Sequence, residues 1–183
     1  MLLGLHHVAI CTPDADRLIG FYRDRLGLSV AVDQSWEPGV DLADTVLGLA
    51  GTSGRQVLLK IGNAYLELFE FRSPAGRAAD PDRRVCDHGY THLCVDVDDL
   101  DSTYERLLSA GVPFTSPPQD LLPGVRTCYS RDPDGNVVEI QQLSPRNPFS
   151  AARATVDDDH GRRRDDARDE PRTAEAPDRH DRI

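Results

Sequence analysis

The chain has little with which to hold a nucleic acid, cross a membrane or brace itself with disulfides. Its 183 residues carry 21 basic against 31 acidic side chains, a formal net charge of −10, and Lys60 is the one lysine. Residues 1–150 hold 13 of the basic and 21 of the acidic groups, a balance that repels phosphate backbones and excludes nucleic acid as the expected partner. No apolar run approaches the roughly 20 residues of a membrane span. The apolar opening MLLGLHHVAI has no basic flank and is broken by His6 and His7 before it reaches signal-peptide length. Four cysteines, Cys11, Cys86, Cys94 and Cys128, form neither a CxxC pair nor zinc-finger spacing, which predicts reduced core thiols in a cytoplasmic protein.

What the chain does carry is a pattern used twice. Gly4–Arg17 reads GLHHVAICTPDADR and Gly89–Leu100 reads GYTHLCVDVDDL; a shift of 85 residues superimposes His7 on His92, Val8 on Leu93, Ile10 on Val95 and Asp14 on Asp99. Alternation of apolar residues marks a strand in each copy. Thr12 or Asp14 then caps a helix running through Ile19, Phe21 and Tyr22 to Gly27, and Asp98 or Asp99 caps one running through Tyr104, Leu107 and Leu108 to Gly111.

Leu28–Val32 reads as a second strand, and Gln34–Gly54 as a loop or strand pair forming part of a pocket wall. Gln56–Ile61 and Ala64–Phe71 predict a hairpin about Gly62-Asn63. In the second half Val112–Thr115 reads as a strand, PPQDLLPG as a loop, and Val125–Arg131 pairs with Asn136–Leu143 about the turn DPDG. Each half is therefore βαβββ. The expected class is α+β with two tandem βαβββ modules, residues 1–72 and 89–148, joined by a linker at 73–88. The tail, 149–183, is highly charged and almost without large apolar residues, so it cannot offset its ordering entropy and is expected to be disordered. Truncation after Ser150 is expected to leave melting temperature and metal content unchanged; a large fall in melting temperature counts against that view.

Each first strand carries a histidine and each last strand a glutamate: Glu67 in AYLELFEF and Glu139 in NVVEIQQL, both mid-strand among apolar residues where an isolated carboxylate is costly to bury. Taken singly, a strand histidine is most often a hydrogen-bonded core residue and a strand glutamate most often faces solvent. Their equivalent placement in two copies points instead to ligation. Two imidazoles and two carboxylates without thiolate suit one divalent ion of the series Mn, Fe, Co, Ni or Zn, with open positions for water or substrate oxygens.

LHHVAI followed by FYRDRLGL, then YLELFEF, YTHLCVDVDDL and RDPDGNVVEI, together resemble the vicinal oxygen chelate superfamily over about Leu3–Leu143. That superfamily includes glyoxalase I, methylmalonyl-CoA epimerase, extradiol dioxygenases and fosfomycin-resistance proteins. The resemblance implies a cupped mixed sheet around a divalent metal with His7, Glu67, His92 and Glu139 as ligands. His6 competes with His7 for the first position; the repeat favours His7, because His6 corresponds to Thr91.

A full four-ligand set resembles glyoxalase I and the epimerases rather than the three-ligand dioxygenases and fosfomycin-modifying enzymes, and ELFEFRSP resembles the epimerase ending of the first module. The expected function is a metal-dependent epimerase or isomerase that abstracts a proton next to a carbonyl, with a metal-stabilised enediolate, Glu139 as base and Glu67 as the other catalytic carboxylate. A glyoxalase-like lyase and an Fe(II) extradiol-type dioxygenase are the alternative reactions, and a metal-free small-molecule binding protein is the alternative outside enzymes. The expected partners are a small oxygenated substrate, such as a hydroxy-ketone or sugar-like ketone, and a second copy of the chain in a homodimer. Tyr90, Arg126 and Tyr129 are candidate substrate contacts, with ordinary structural positions as the competing view. Asp132 and Asp134 are assigned to the turn with Arg131 pairing to them, Asp87-His88 to the linker, and Trp36-Glu37 to a lid or to surface cover.

Overall fold

Asp14 opens the first helix of the structure, a computed structural model that describes residues 1–80 and 83–150. Its backbone is extended at φ −152° and its carboxylate accepts the Arg17 amide at 3.0 Å, the bond expected of a capping aspartate. Strand β1 (His7–Cys11) precedes it and helix α1 (Ala15–Ile19) follows, widening into a π-helical turn at Gly20–Arg25 in which the Leu26 amide reaches back five residues to the Phe21 carbonyl. The wider turn brings Phe21 and Tyr22, adjacent in sequence, both into the core. Strand β2 (Ser29–Trp36), helix α2 (Asp41–Leu47), strand β3 (Ser53–Ile61) and strand β4 (Ala64–Ser73) complete the module. Its sheet has the order β1-β4-β3-β2, with β1 parallel to β4 and the remaining neighbours antiparallel.

The second module repeats this plan. Strand β5 (His92–Asp96) leads to Asp99, which caps helix α3 (Leu100–Ser109) by accepting the Ser102 amide at 3.0 Å. Strands β6 (Gln119–Leu122), β7 (Val125–Arg131) and β8 (Val137–Leu143) form a sheet in the order β5-β8-β7-β6, with β5 parallel to β8. The protein is thus α+β, built from two βαβββ modules with one inserted helix.

Three expectations need correction. Gln34–Gly54 is neither loop nor strand pair: β2 continues to Trp36, opposite Gly54, and α2 follows. That helix buries no residue, and although Leu42 and Val46 recur at helical spacing, seven residues bounded by Gly39 and Gly48 are too short a run to read as a helix. Val112–Thr115 is not a strand but a single bridge from Phe114 to Ser130, since Pro113 has no amide to give; the edge strand β6 forms instead within the supposed loop. Of the four thiols only Cys128 is buried; Cys11, Cys86 and Cys94 are exposed. The tail from residue 151 onward lies outside the described residues.

One hydrophobic core serves both modules. Leu18 and Tyr22 from the first helix and Leu100 and Leu107 from α3 join Val57, Leu59, Leu66 and Leu68 of one sheet and Val138 and Ile140 of the other. Polar contacts close the same junction: the buried Tyr22 hydroxyl donates to Asp132 Oδ2 at 2.9 Å, Arg17 pairs with Asp134, Arg25 donates to the Ala110 carbonyl, and Arg106 donates to that of Arg25. Because the modules meet through their helix sides, the opposite face of each sheet is turned outward.

A candidate metal centre in two halves

On β1 the residues alternate, Val8 and Ile10 packing inward while His7, Ala9 and Cys11 remain exposed; β5 repeats this with Leu93 and Val95 inward and His92, Cys94 and Asp96 outward. The parallel pairing then sets Glu67 of β4 beside Ala9 and Glu139 of β8 beside Cys94. From these positions His7 Nε2 lies 3.3 Å from Glu67 Oε2, and His92 Nε2 lies 3.0 Å from Glu139 Oε2.

Each pair is held from behind in the same way. Gln56 Nε2 donates to Glu67 Oε1, and Thr127 Oγ1 donates to Glu139 Oε1 at 2.7 Å. Gln56 and Thr127 each stand two residues before the one directly opposite the glutamate, Leu58 in β3 and Tyr129 in β7. The histidines are oriented alike: His6 Nδ1 lies 2.8 Å from His7 Nδ1, and Thr91 Oγ1 lies 2.7 Å from His92 Nδ1. In both halves one carboxylate oxygen and one ring nitrogen are engaged by neighbours, leaving Nε2 and Oε2 to face each other. Such outer contacts fix tautomer and orientation in metal-ligating imidazoles. His6 also stacks on Tyr65, its ring centroid 5.1 Å away.

The donor chemistry fits a divalent cation of borderline character. Glu67 is 5% exposed, and a carboxylate so buried needs a cationic or hydrogen-bonding partner. Beside these donors, partial burial and the Glu139 carboxylate push the Cys94 thiol up to about 12, and the same causes push Cys128 up to about 11. Among the described residues, however, no group of three or more His, Cys, Asp or Glu side chains gathers into a metal-binding cluster. One chain thus brings the four candidate ligands together as two pairs.

The other candidates distribute unevenly. Tyr129 shares Glu139's face, with its ring 5.3 Å from that of His92, and burial followed by the nearby carboxylate raises its phenol. Tyr90 is 86% exposed and lines a cleft with Arg83, Arg84 and residues of β1 and β5. Arg126 binds Asp101 of α3 through two bonds of 2.7 and 2.9 Å and also pairs with Asp120, which places it on the helix side of the sheet, away from Glu139. Asp132 is more than a turn residue: 4% exposed, it accepts from Tyr22 and from the Asp134 and Asn136 amides. Arg131 donates to the Gly135 and Arg83 carbonyls, and Asp87 pairs with Arg84.

Sequence reading missed Gln56 and Thr127, because their role depends on register across two strands. It also left open that Trp36 lies on Glu67's face, across β3 at Gly54. A Cβ at Gly54 falls 2.7 Å from the indole Cη2 and 2.6 Å from the Glu70 carbonyl oxygen. Gly54→Ala is therefore expected to lower stability by about 1–3 kcal/mol and to shift the emission of Trp36, the sole tryptophan. Unchanged emission and melting temperature contradict that packing.

Similar known proteins supply the family. The chain is 30% identical over 154 residues to 2-epi-5-epi-valiolone epimerase from Actinomyces sp, spanning 80% of this chain and 83% of the relative. It is 26% identical over 148 residues to ethylmalonyl-CoA/methylmalonyl-CoA epimerase from Cereibacter sphaeroides, spanning 78% of this chain and all of that one. Among solved structures, a glyoxalase family protein from Bacillus cereus superimposes with a TM-score of 0.71 over 78% of this chain and 95% of its own, at 23% identity, a likeness of fold alone. Residues 4–140 match the model of the Glyoxalase/Bleomycin resistance protein/Dioxygenase superfamily, and the chain belongs to that family.

Proposed function

We propose that this protein is a divalent-metal-dependent epimerase or isomerase of a small oxygenated metabolite, working as a homodimer in which His7 and Glu67 of one copy and His92 and Glu139 of another hold one ion. The observation that carries the reading is the duplicated half-site: two outward His–Glu pairs, each with its carboxylate steadied by a neighbouring strand, that do not meet within one chain. β1 and β5 are both terminal strands of their sheets and flank one cleft, and the face of each sheet that carries its His–Glu pair is the one another copy would approach.

When bound, the ion supplies Lewis-acid polarisation of a substrate carbonyl and neutralises the charge that develops on its oxygen. The chain's own residues do the rest. Glu139 Oε2, the oxygen that Thr127 does not hold, would loosen from the ion to take the proton from the carbon next to the carbonyl, and Glu67 Oε2, the corresponding carboxylate of the other half, would deliver a proton to the opposite face of that carbon. Gln56 and Thr127 keep both oxygens aimed. Tyr129, beside His92 with its phenol raised, stays protonated near neutrality and is placed to donate a hydrogen bond to a substrate oxygen. Two similar proteins named as epimerases support the reaction class. The first acts, by its name, on a valiolone, which accords with a sugar-like ketone as substrate here.

The test is metal analysis of the purified chain followed by incubation of the metal-loaded form with hydroxy-ketones in D₂O. Near-stoichiometric divalent metal and deuterium on a carbon next to a carbonyl are the expected results. Failure to load Mn, Fe, Co, Ni or Zn removes the metal centre and leaves the small-molecule binding protein as the better reading; oxygen consumption with tight iron dependence turns the assignment to a dioxygenase.

A further inference from the structure

Resting on the metal-dependent reading of the His7–Glu67 pair, we propose that Trp36, Phe69 and Phe71 form the specificity surface of the cup. They select a six-membered polyhydroxylated cyclic ketone, bound with one C–H face on the aromatic wall, over an open-chain ketone.

On β4 the alternation that turns Glu67 outward also turns Phe69 and Phe71 outward, and Trp36 reaches the same face from β2 across Gly54. Phe69 and Phe71 stack at 5.5 Å and 24°, and the indole stands perpendicular to both, at 6.1 Å and 5.5 Å between centroids. Same-face neighbours along a strand lie roughly 6.6 Å apart, about the reach of a six-membered ring together with the hydroxyl groups on its opposite carbons. A substrate whose carbonyl and neighbouring hydroxyl lie at Glu67 therefore carries the rest of its ring over Phe69 toward Phe71. Aromatic faces are electron-rich and attract the weakly positive C–H bonds that line one side of such a ring.

The wall is built rather than incidental. The indole Nε1 donates to Thr52 Oγ1 at 3.1 Å, and Thr52 Oγ1 donates to Asp44 Oδ1 at 2.6 Å. Asp44 also accepts the Gly51 and Thr52 amides, and the Thr52 hydroxyl first, then those amides, hold its carboxyl below the usual range. The indole N–H is thus satisfied within the protein, and the surface offered to a ligand is ring. Between wall and carboxylate, Gln34 Nε2 donates to Gln56 Oε1 at 2.6 Å, setting amides where ring hydroxyls need partners. The second module has no counterpart, since Gln141 and Leu143 occupy the places of Phe69 and Phe71. Lys60, the one lysine, sits opposite Tyr65, on the far side of Glu67 from the wall.

Because Trp36 is the only tryptophan, it reports directly. The full metal-loaded chain is titrated with an inosose, a six-membered polyhydroxylated cyclic ketone, and with dihydroxyacetone, which presents the same carbonyl–hydroxyl pair without a ring; emission and calorimetry are read together. Saturable change in emission with the inosose is expected, with affinity about 10-fold or more above that for dihydroxyacetone. Phe71→Ala, and Phe71→Leu as the variant that keeps apolar bulk, are each expected to weaken inosose binding about 5- to 10-fold and to leave dihydroxyacetone binding as it was. Equal affinities, an equal loss for both ligands, or inosose binding without a change in emission overturns the wall. Deuterium exchange without ring preference overturns the wall while leaving the isomerase reading standing. Ring-selective, Phe71-dependent binding without exchange does the reverse, and no binding of either ligand overturns both.

Discussion

Neither His7→Ala nor His92→Ala chains are expected to retain divalent metal, yet a mixed dimer of the two is expected to regain up to one metal site and, with it, deuterium exchange. In a mixed dimer one site combines the two mutated strands and the other combines the intact His7–Glu67 pair of one chain with the intact His92–Glu139 pair of the other. Each homodimer loses a first-sphere imidazole at every site, and since loss even of an outer partner costs about 10- to 100-fold in metal affinity or activity, the homodimers should fall well beyond that. The separation of the pairs within one chain motivates the design. If mixing restores nothing while the unmutated chain binds metal, the site is completed within a single chain by a different approach of the modules.

Asp132→Ala is expected to destabilise the fold by roughly 3–5 kcal/mol, lowering the melting temperature by about 10 °C. The change removes the acceptor for the fully buried Tyr22 hydroxyl, the Asn136 side chain and two turn amides at once. Tyr22→Phe deletes only the hydroxyl, while Asp132 keeps its other donors, so about 1–2 kcal/mol is expected. Thermal melts of both variants and their double mutant measure the coupling across the junction; additive effects show that Tyr22 and Asp132 do not work together. The pH dependence has a definite sign. Burial raises the Asp132 carboxyl above its usual range despite its hydrogen bonds, so the folded chain keeps this proton to higher pH than the unfolded chain does. Its contribution to stability is greatest below the unfolded pKa, falls as pH rises through the window between unfolded and folded values, and is level above it. Asp132→Asn should abolish that slope.

Much of this architecture can be read from local pattern. The shift that superimposes His7 on His92 also superimposes Asp14 on Asp99, and both aspartates cap helices by the same bond. Alternation in LHHVAI and THLCV sets which side chains face the core, and Gly62-Asn63 and DPDG form the expected turns. Helix α2 escaped because its apolar residues at helical spacing, Leu42 and Val46, lie in a helix of only seven residues between Gly39 and Gly48. Strand β6 escaped because an exposed edge strand beside prolines carries the same residues as a loop. Gln56 and Thr127 escaped because their partners lie on another strand and only register brings them within reach.

By itself, then, the amino-acid sequence determined the duplication, the class of each module, and the two histidines and two glutamates placed on the outward faces of first and last strands, since these follow from spacings of a few residues. Tertiary structure alone decided how the modules meet. Tyr22–Asp132, Arg17–Asp134 and the shared core join positions more than a hundred residues apart and turn the helix sides inward. That orientation leaves two His–Glu halves facing outward, and it depends on the packing of whole surfaces, which no local spacing encodes.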